Sequence, residues 1–202
     1  IKYTGSGSIA SSLCMDKDAS KEIAKRNGIE TPDWQLIQKA NQEVKISPPF
    51  VVKPNDQGST IGLSIVKEDQ FTQSAMDLAF QHGNSIIIEK FISGRELTIP
   101  IINEEAYPIV EINPKNNFYD YECKYTPGMS DYSCPADLEQ ISVEKIEANT
   151  IKLFQKFDCS VYARADYILD TTGVPYFLEM NTLPGMTSTS LVPKSAYARG
   201  QS

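Results

Sequence analysis

Apolar positions recur along the chain with two different periods, and each period predicts its own type of element. Apolar residues at helical spacing predict helices over 9–27, 69–82 and 143–157. Short apolar runs bounded by Gly, Pro, Asn or Ser are typical of strands, and they cover 34–37, 48–54, 63–66, 85–92, 96–102 and 106–112. The Ser93-Gly94 break predicts a boundary between two domains, 1–93 and 94–202.

A further hairpin is predicted near the end of the chain. The strand-like segments 160–169 and 174–181 flank residues 170–173, whose Asp-Thr-Thr-Gly composition favours a turn. A tight turn would pair Leu169 with Val174. Partners farther along the hairpin follow from that register.

The predicted hairpin gathers polar side chains on one of its faces. In this register Arg164 lies opposite Glu179, and side chains alternate along a strand. The residues that then share a face are Arg164, Asp166, Glu179 and Asn181. Carboxylate and amide oxygens suit Mg²⁺, which also keeps phosphates and waters as ligands. The alternative is a buried Arg164–Glu179 ion pair beside a solvated Asp166.

Composition narrows the class of protein. The 202 residues carry a net charge of −7, which argues against nucleic-acid and acidic-lipid partners. No apolar run approaches a membrane span, and no signal peptide is predicted. The cysteines lack the spacing of a zinc site, so we expect free thiols in a reducing cytoplasm: Cys14, Cys123, Cys134 and Cys159. Because the chain opens with a loop that leads into a helix and ends at what looks like the start of a helical region, we expect a piece of a longer protein.

A glycine-rich loop follows the strand that ends at Lys53-Pro54. Its sequence, Gly-Ser-Thr-Ile-Gly over 58–62, lets backbone amides approach a ligand and adds the hydroxyls of Ser59 and Thr60. Together with Lys53 it predicts a phosphate-binding loop, although it is not a Walker loop. The alternative is a hairpin with an exposed lysine.

Residues 114–135 show no periodicity and contain four tyrosines. Irregular segments of this length inside a compact domain often act as lids. We expect this one to close over a ligand and exclude water. The alternative is a surface Ω-loop packed on its own aromatic side chains.

Motifs occur in a fixed order along nearly all of the chain. They are Tyr-Thr-Gly-Ser-Gly at 3–7, Met-Asp-Lys at 15–17, Val-Lys-Pro at 52–54, Gly-Ser-Thr-Ile-Gly at 58–62, Glu-Lys-Phe-Ile-Ser-Gly-Arg-Glu at 89–96, Phe-Tyr-Asp-Tyr-Glu-Cys-Lys-Tyr at 118–125, Cys-Pro-Ala at 134–136, Arg-Ala-Asp at 164–166 and Leu-Glu-Met-Asn-Thr-Leu-Pro-Gly-Met-Thr-Ser-Thr-Ser-Leu-Val-Pro at 178–193. In this order they resemble the D-alanine–D-alanine ligases of the ATP-grasp superfamily.

The resemblance implies an α+β ATP-grasp fold. Two lobes, each with an antiparallel β-sheet and helices, would hold a nucleotide between them. Residues 1–93 would form the central lobe, with the phosphate loop and the adenine strand. Residues 94–202 would form the C-terminal lobe, with an ω-loop at 114–135 and a magnesium hairpin at 160–181.

The resemblance also implies the contacts to ATP. Lys17 and Lys53 would bind the phosphates, covered by the loop that carries Ser59 and Thr60. The other implied contacts are Glu89 to the adenine amino group, Lys90 and Ile92 beside the base, Glu96 at the ribose hydroxyls and Lys124 on the ω-loop.

Metal and substrate positions follow from the same resemblance. Two Mg²⁺ ions, with Mn²⁺ as an alternative, would lie on Asp166, Glu179 and Asn181. Arg164 and the amide of Gly185 would stabilise a tetrahedral centre. The residues implied to act on the substrates or the reacting atoms are Ser59, Lys124, Tyr125, Arg164, Gly185 and Ser190, the last at the carboxylate of the second D-alanine.

The implied activity is ATP-dependent joining of two D-alanines through an acyl phosphate, for peptidoglycan synthesis in the bacterial cytoplasm. We expect a homodimer when full length, with no nucleic-acid or membrane partner. Since the family's N-terminal domain has no counterpart here, we expect the chain alone to be inactive. Leu183 and Thr189 stand where many members have serine and histidine, which predicts a modest change in specificity. The alternatives are another ATP-grasp carboxylate–amine ligase and a non-catalytic nucleotide-binding module.

Overall fold

A computed structural model describes residues 3–114 and 130–201. Its helices are α1 (Ser8–Met15), α2 (Lys17–Arg26), α3 (Thr72–Phe80), α4 (Gln140–Lys156) and α5 (Leu191–Ala198). Its strands are β1 (Trp34–Ile37), β2 (Phe50–Pro54), β3 (Ser64–Val66), β4 (Ile86–Lys90), β5 (Gly94–Ile102), β6 (Glu105–Ala106), β7 (Val110–Pro114), β8 (Ser130–Ser133), β9 (Tyr162–Asp170) and β10 (Pro175–Asn181). None of the described helices is both long and apolar enough to span a membrane.

The smaller sheet has four antiparallel strands in the order β1-β4-β2-β3. One face buries Phe50, Val52, Ile86 and Ile88, and helix α3 packs Met76 against them. Val51 lies opposite Glu89 and Lys53 lies opposite Ile87, so Lys53 and Glu89 are diagonal neighbours on the other face of this sheet.

The larger sheet has the order β10-β9-β5-β7-β8, and β6 pairs with β5. Its buried face carries Leu97, Ile99 and Ile101 from the central strand β5, packed against α4 through Leu153. Helix α2 joins the same core through Ala24. The N-terminal helices therefore pack on the larger sheet although they precede the smaller one in sequence. The domain boundary at 93/94 stays a prediction.

The single helix expected over 9–27 is wrong, because the structure has two helices that meet at Asp16. Asp16 has an extended backbone (φ −77°, ψ 103°), and its side chain accepts a hydrogen bond from the Ala19 amide at 3.0 Å. It is therefore the N-cap of α2, a role that aspartate fills well. The cap makes Lys17 the first helical residue of α2.

The hairpin of β9 and β10 forms as predicted, but its register was wrong. The turn pairs Leu169 with Pro175 instead of Val174, and the pairing shifts by one more residue between Phe177 and Glu179, so Glu179 lies opposite Asp166 and Asn181 opposite Arg164. A β-bulge adds one residue to one strand and changes every pairing beyond it. Since directly opposed residues share a face, the four polar side chains still lie on the same face.

Strands include residues at both ends of the segment 114–135, which was predicted to be irregular. Strand β7 includes Pro114, and β8 pairs with it over Ser130–Ser133. Residues 115–129, including Lys124 and Tyr125, lie outside the described part of the chain. Cys14, Cys134 and Cys159 are free thiols, as predicted.

Candidate functional site

A cleft runs between the two sheets and holds about 920 Å³ of empty space, including its open mouth. Ligand pockets for small molecules usually have volumes of this order. The smaller sheet contributes the loop after β2 and the end of β4. The larger sheet contributes residues of β5, β9 and β10. Charged side chains from both sheets thus face a common space.

The loop after β2 forms one wall of the cleft. Gly58, Ser59 and Thr60 all line it. Ser59 (φ 55°) and Thr60 (φ 59°) have left-handed backbones, which non-glycine residues seldom adopt. Conformations of this kind cluster at ligand-binding turns, where the surrounding structure holds them. The loop therefore has a backbone conformation that is typical of ligand-binding turns rather than of a plain hairpin connection.

Lys53 and Lys21 share the buried carboxylate of Glu89. Glu89 is only 3% exposed, its Oε1 pairs with the Lys53 ammonium, and its Oε2 lies 2.8 Å from the Lys21 Nζ. Burial alone would raise the pKa of Glu89, but the two ammonium groups outweigh it and lower the pKa to about 2. Burial lowers the pKa of Lys21 to about 8, against the attraction of Glu89. Two cations and one anion leave a surplus positive charge beside the cleft.

Lys17 extends from the first turn of α2 across the cleft. Its ammonium donates to the Gln57 carbonyl at 2.5 Å and lies 3.7 Å from Glu179 Oε2. The Asn55 side chain ties this region together, because it donates to Asp16 Oδ1 at 2.9 Å. Burial lowers the pKa of Lys17, and the charge of Glu179 opposes that change. The cap of α2 and the loop after β2 thus orient Lys17 toward Glu179, the carboxylate of β10.

Asp166 is held by two neighbours on the larger sheet. Arg164 Nε and Nη2 donate to its two oxygens at 2.9 and 2.8 Å, and the Thr98 hydroxyl donates to Oδ1 at 2.5 Å. A bidentate guanidinium orients a carboxylate strongly. Farther along the same face, Asn181 Oδ1 accepts the Leu183 amide at 3.0 Å. Asp166 is therefore paired with Arg164 and is not the solvated carboxylate of the alternative prediction.

The oxygen donors of this face fit Mg²⁺ in their chemistry. Asp166 and Glu179 are opposite neighbours, and Asn181 follows two residues later on the same strand face. Within the described ranges, no three Asp, Glu, His or Cys side chains come close enough to hold a metal by themselves. Two carboxylates and an amide suit an ion that takes its other ligands from substrate phosphates and water.

Known proteins can now be compared with this arrangement. The family model of the D-ala D-ala ligase C-terminus matches residues 18–202. The chain belongs to the D-alanine–D-alanine ligase family. The D-alanine–D-alanine ligase of Syntrophotalea carbinolica is 42% identical over 100% of this chain and 67% of its own length. The D-alanine–D-alanine ligase B of Clostridium perfringens is 42% identical over 99% of this chain and 68% of its own length.

Solved structures of the ligase family share the fold. The ligase from Bacillus anthracis complexed with ATP superposes with a TM-score of 0.85 and 34% identity, over 99% of this chain and 65% of that one. The VanG D-Ala:D-Ser ligase from Enterococcus faecalis gives 0.87 and 28%, over 99% and 61%. The predicted family and the α+β ATP-grasp fold are confirmed. The chain spans about two thirds of the length of the curated relatives that it matches.

The structure of this ligase-family chain brings most of the predicted nucleotide and metal residues to one cleft. Those that line it are Lys17, Lys53, Ser59, Thr60, Glu89, Lys90, Ile92, Glu96, Asp166 and Glu179. Arg164 reaches the cleft through its contact with Asp166. Gly185 and Ser190 lie together, since a Cβ on Gly185 would approach Ser190 Oγ to 2.8 Å. Their predicted contacts to substrate stay predictions.

Sequence reasoning missed two features of the site, one behind the cleft and one in its lining. One is Lys21, whose spacing of four residues from Lys17 places both lysines on one face of α2. That spacing was the available signal. The other is the apolar lining, which includes Phe91, Ile168 and Leu178. Ile168 lies two residues from Asp166 on the same strand, so alternation alone could have placed it.

Proposed function

We propose that this chain is the ATP-binding part of a ligase that joins two D-alanines, through an acyl phosphate, for bacterial peptidoglycan synthesis in the cytoplasm. The observation that carries the proposal is the cleft between the two sheets, with lysines on one side and Asp166 and Glu179 on the other. Relatives that are 42% identical are named D-alanine–D-alanine ligases.

ATP lies in the cleft with its phosphates at the polar centre. Lys17 and Lys53 neutralise phosphate charge, and the loop of Ser59 and Thr60 supplies donors over the phosphates. The backbone around Lys90 and Ile92 borders the adenine, and Glu96 holds the ribose hydroxyls. Phe91, Ile168 and Leu178 supply the apolar surface that a purine ring requires. The adenine contact proposed for Glu89 must be made from a carboxylate already between two lysines.

Asp166, Glu179 and Asn181 hold Mg²⁺ in this proposal, with two ions and Mn²⁺ as an alternative. The metal supplies positive charge at the phosphate oxygens during phosphoryl transfer. Arg164 keeps the Asp166 carboxylate oriented from the side of β9. Thr98 holds the same carboxylate from β5.

The chemistry has two displacements. A carboxylate oxygen of the first D-alanine attacks the γ-phosphorus and ADP leaves. The amine nitrogen of the second D-alanine then attacks the acyl carbon, loses a proton and expels phosphate. Arg164 and the Gly185 amide stabilise the oxyanion of the tetrahedral intermediate. Ser190 binds the carboxylate of the second D-alanine, and Lys124 and Tyr125 on the ω-loop help to exclude water.

The proposal extends to the assembled protein, which forms a homodimer without nucleic-acid or membrane partners. The net charge of −7 on these 202 residues is consistent with a small-molecule enzyme. A D-Ala:D-Ser ligase shares the fold at 28% identity. The second amino acid is therefore the substrate feature that most needs a direct assay.

The test is ADP release by the complete protein with Mg·ATP. We expect release that depends on D-alanine, with D-alanyl-D-alanine as the product. D-serine, D-lactate and L-alanine serve as competing second substrates. If one of these acceptors is joined to D-alanine faster than a second D-alanine is, the protein is a different ATP-grasp ligase. Nucleotide binding without release for any acceptor would indicate a non-catalytic module.

A further inference from the structure

Lys21 is a buried charge that none of the roles proposed above uses. Its side chain has no exposure to solvent, and among the described residues no charged side chain is more buried. Its ammonium donates to the Thr31 hydroxyl at 2.8 Å and lies 2.8 Å from Glu89 Oε2. A charge in such surroundings is costly unless it is compensated. The buried charge of Lys21 therefore depends on compensation by its neighbours.

Each of the two lysines pairs with a different oxygen of the Glu89 carboxylate. Lys53 pairs with Oε1 from the cleft side, where it lines the nucleotide pocket. Lys21 faces Oε2 from behind. In the part of the chain that the structure describes, no hydrogen-bond donor of good geometry reaches Oε2. The charge of Lys21 is thus what compensates that oxygen.

We propose that Lys21 is a positioning residue that neutralises Glu89 from behind the cleft and so leaves the Lys53 ammonium available to the phosphates of the nucleotide. The inference rests on the proposed nucleotide site. Without Lys21, Lys53 would be the only cation on Glu89. Movement of Lys53 toward a phosphate would then strand a buried carboxylate, which is strongly unfavourable.

The surroundings of Lys21 hold it on Glu89. The Thr31 hydroxyl, which accepts from Lys21, donates in turn to the Phe177 carbonyl at 2.8 Å. Phe177 is fully buried in the core of the larger sheet. This chain of hydrogen bonds links α2 to β10, so Lys21 cannot follow Lys53 toward a ligand. Lys53, with 11% of its side chain exposed, keeps a path to the cleft.

The test measures the affinity of the complete protein for two ligands, for Mg·ATP by calorimetry and for adenosine by NMR titration. Lys21→Met should weaken Mg·ATP roughly ten- to a hundredfold, as expected for the loss of one charge-assisted phosphate contact. Adenosine should bind with little change, because it has no phosphate and Glu89 keeps its contact with Lys53. Lys21→Gln removes the charge but keeps a polar group, and Lys21→Arg should retain affinity.

Lys25→Met is the control, because Lys25 is exposed on the same helix with its ammonium over Trp34.

A double variant separates positioning from a structural role. In the Glu89→Gln background no carboxylate sequesters Lys53, so adding Lys21→Met should change Mg·ATP affinity less than about twofold, within the usual limits of additivity.

Equal losses for ATP and adenosine would overturn the inference, as would wild-type ATP affinity in folded Lys21→Met and Lys21→Gln. Failure of both to fold would also overturn it, because Lys21 would then serve the fold. If the unaltered protein binds no Mg·ATP, the proposed function itself fails.

Discussion

Asp166→Asn and Glu179→Gln are each expected to weaken Mg·ATP binding by a factor of about a hundred or more, which corresponds to roughly 3 kcal/mol. Mg²⁺ usually takes only one or two protein carboxylates, so loss of either removes a large share of the charge that holds it. Both positions face the cleft. Calorimetric titration of Mg·ATP into each variant measures the effect directly.

The control for this experiment is Glu111→Gln. Glu111 lies on the same sheet and pairs with Arg95 through two hydrogen bonds of 2.7 Å, much as Asp166 pairs with Arg164. It does not line the cleft. We expect wild-type affinity in the control and similar thermal unfolding in all three variants. Wild-type affinity in both Asp166→Asn and Glu179→Gln would remove the metal assignment.

The 202-residue chain by itself is expected to bind Mg·ATP but to form dipeptide far more slowly than the complete protein. The chain covers 67% of the length of a 42% identical ligase. We expect part of the first D-alanine site to lie in the third of such a ligase that these 202 residues do not cover. Because orientation of reactants supplies roughly 7–11 kcal/mol in favourable cases, loss of one wall of that site should lower ligation by on the order of a thousandfold or more.

This second prediction needs paired measurements on the short chain and the complete protein. Mg·ATP affinity should agree within about tenfold, since one lost polar contact is worth no more than that. D-alanyl-D-alanine formation should differ by the larger factor. Comparable ligation rates would show that the first substrate site lies within these 202 residues.

Local patterns predicted elements well where one residue type dominated a short segment. The strands β1, β2 and β4 were visible as apolar runs bounded by turn residues, and they formed within one or two residues of their predicted limits. Strand β8 was not visible. Its Ser-Asp-Tyr-Ser sequence has little apolar periodicity, and pairing with β7 determines its conformation.

The predicted hairpin face was right for a simple reason, although its register was wrong. The turn and the bulge each shift the pairing by one residue, and a total shift of two residues leaves Asp166, Glu179 and Asn181 on one face. The bulge after Phe177 depends on packing across the sheet, and no local composition marked it. A wrong partner assignment therefore still placed the proposed metal-binding residues on one face.

Lys21 shows where sequence reasoning lacks information. A lysine in a polar helix is usually at the surface, because most lysines are. Its burial depends on Glu89, which lies 68 positions away in sequence on β4, and on Thr31. Such a network becomes visible only when strands and helices are placed in space. Asp16 carried a local signal that the prediction of one helix over 9–27 did not use, because aspartate before a helical run is a common N-cap.

Hydrogen exchange with and without a slowly hydrolysed Mg·ATP analogue tests the central claim, that the nucleotide lies between the two sheets. We expect ligand-dependent protection in three regions together: the loop at 55–63, the connection at 90–93 and the end of β10 with the following turn, 178–187. Mg²⁺ with adenosine serves as the comparison and should protect the 90–93 region more than the phosphate loop. Protection confined to one sheet, or located away from these three regions, would contradict the account.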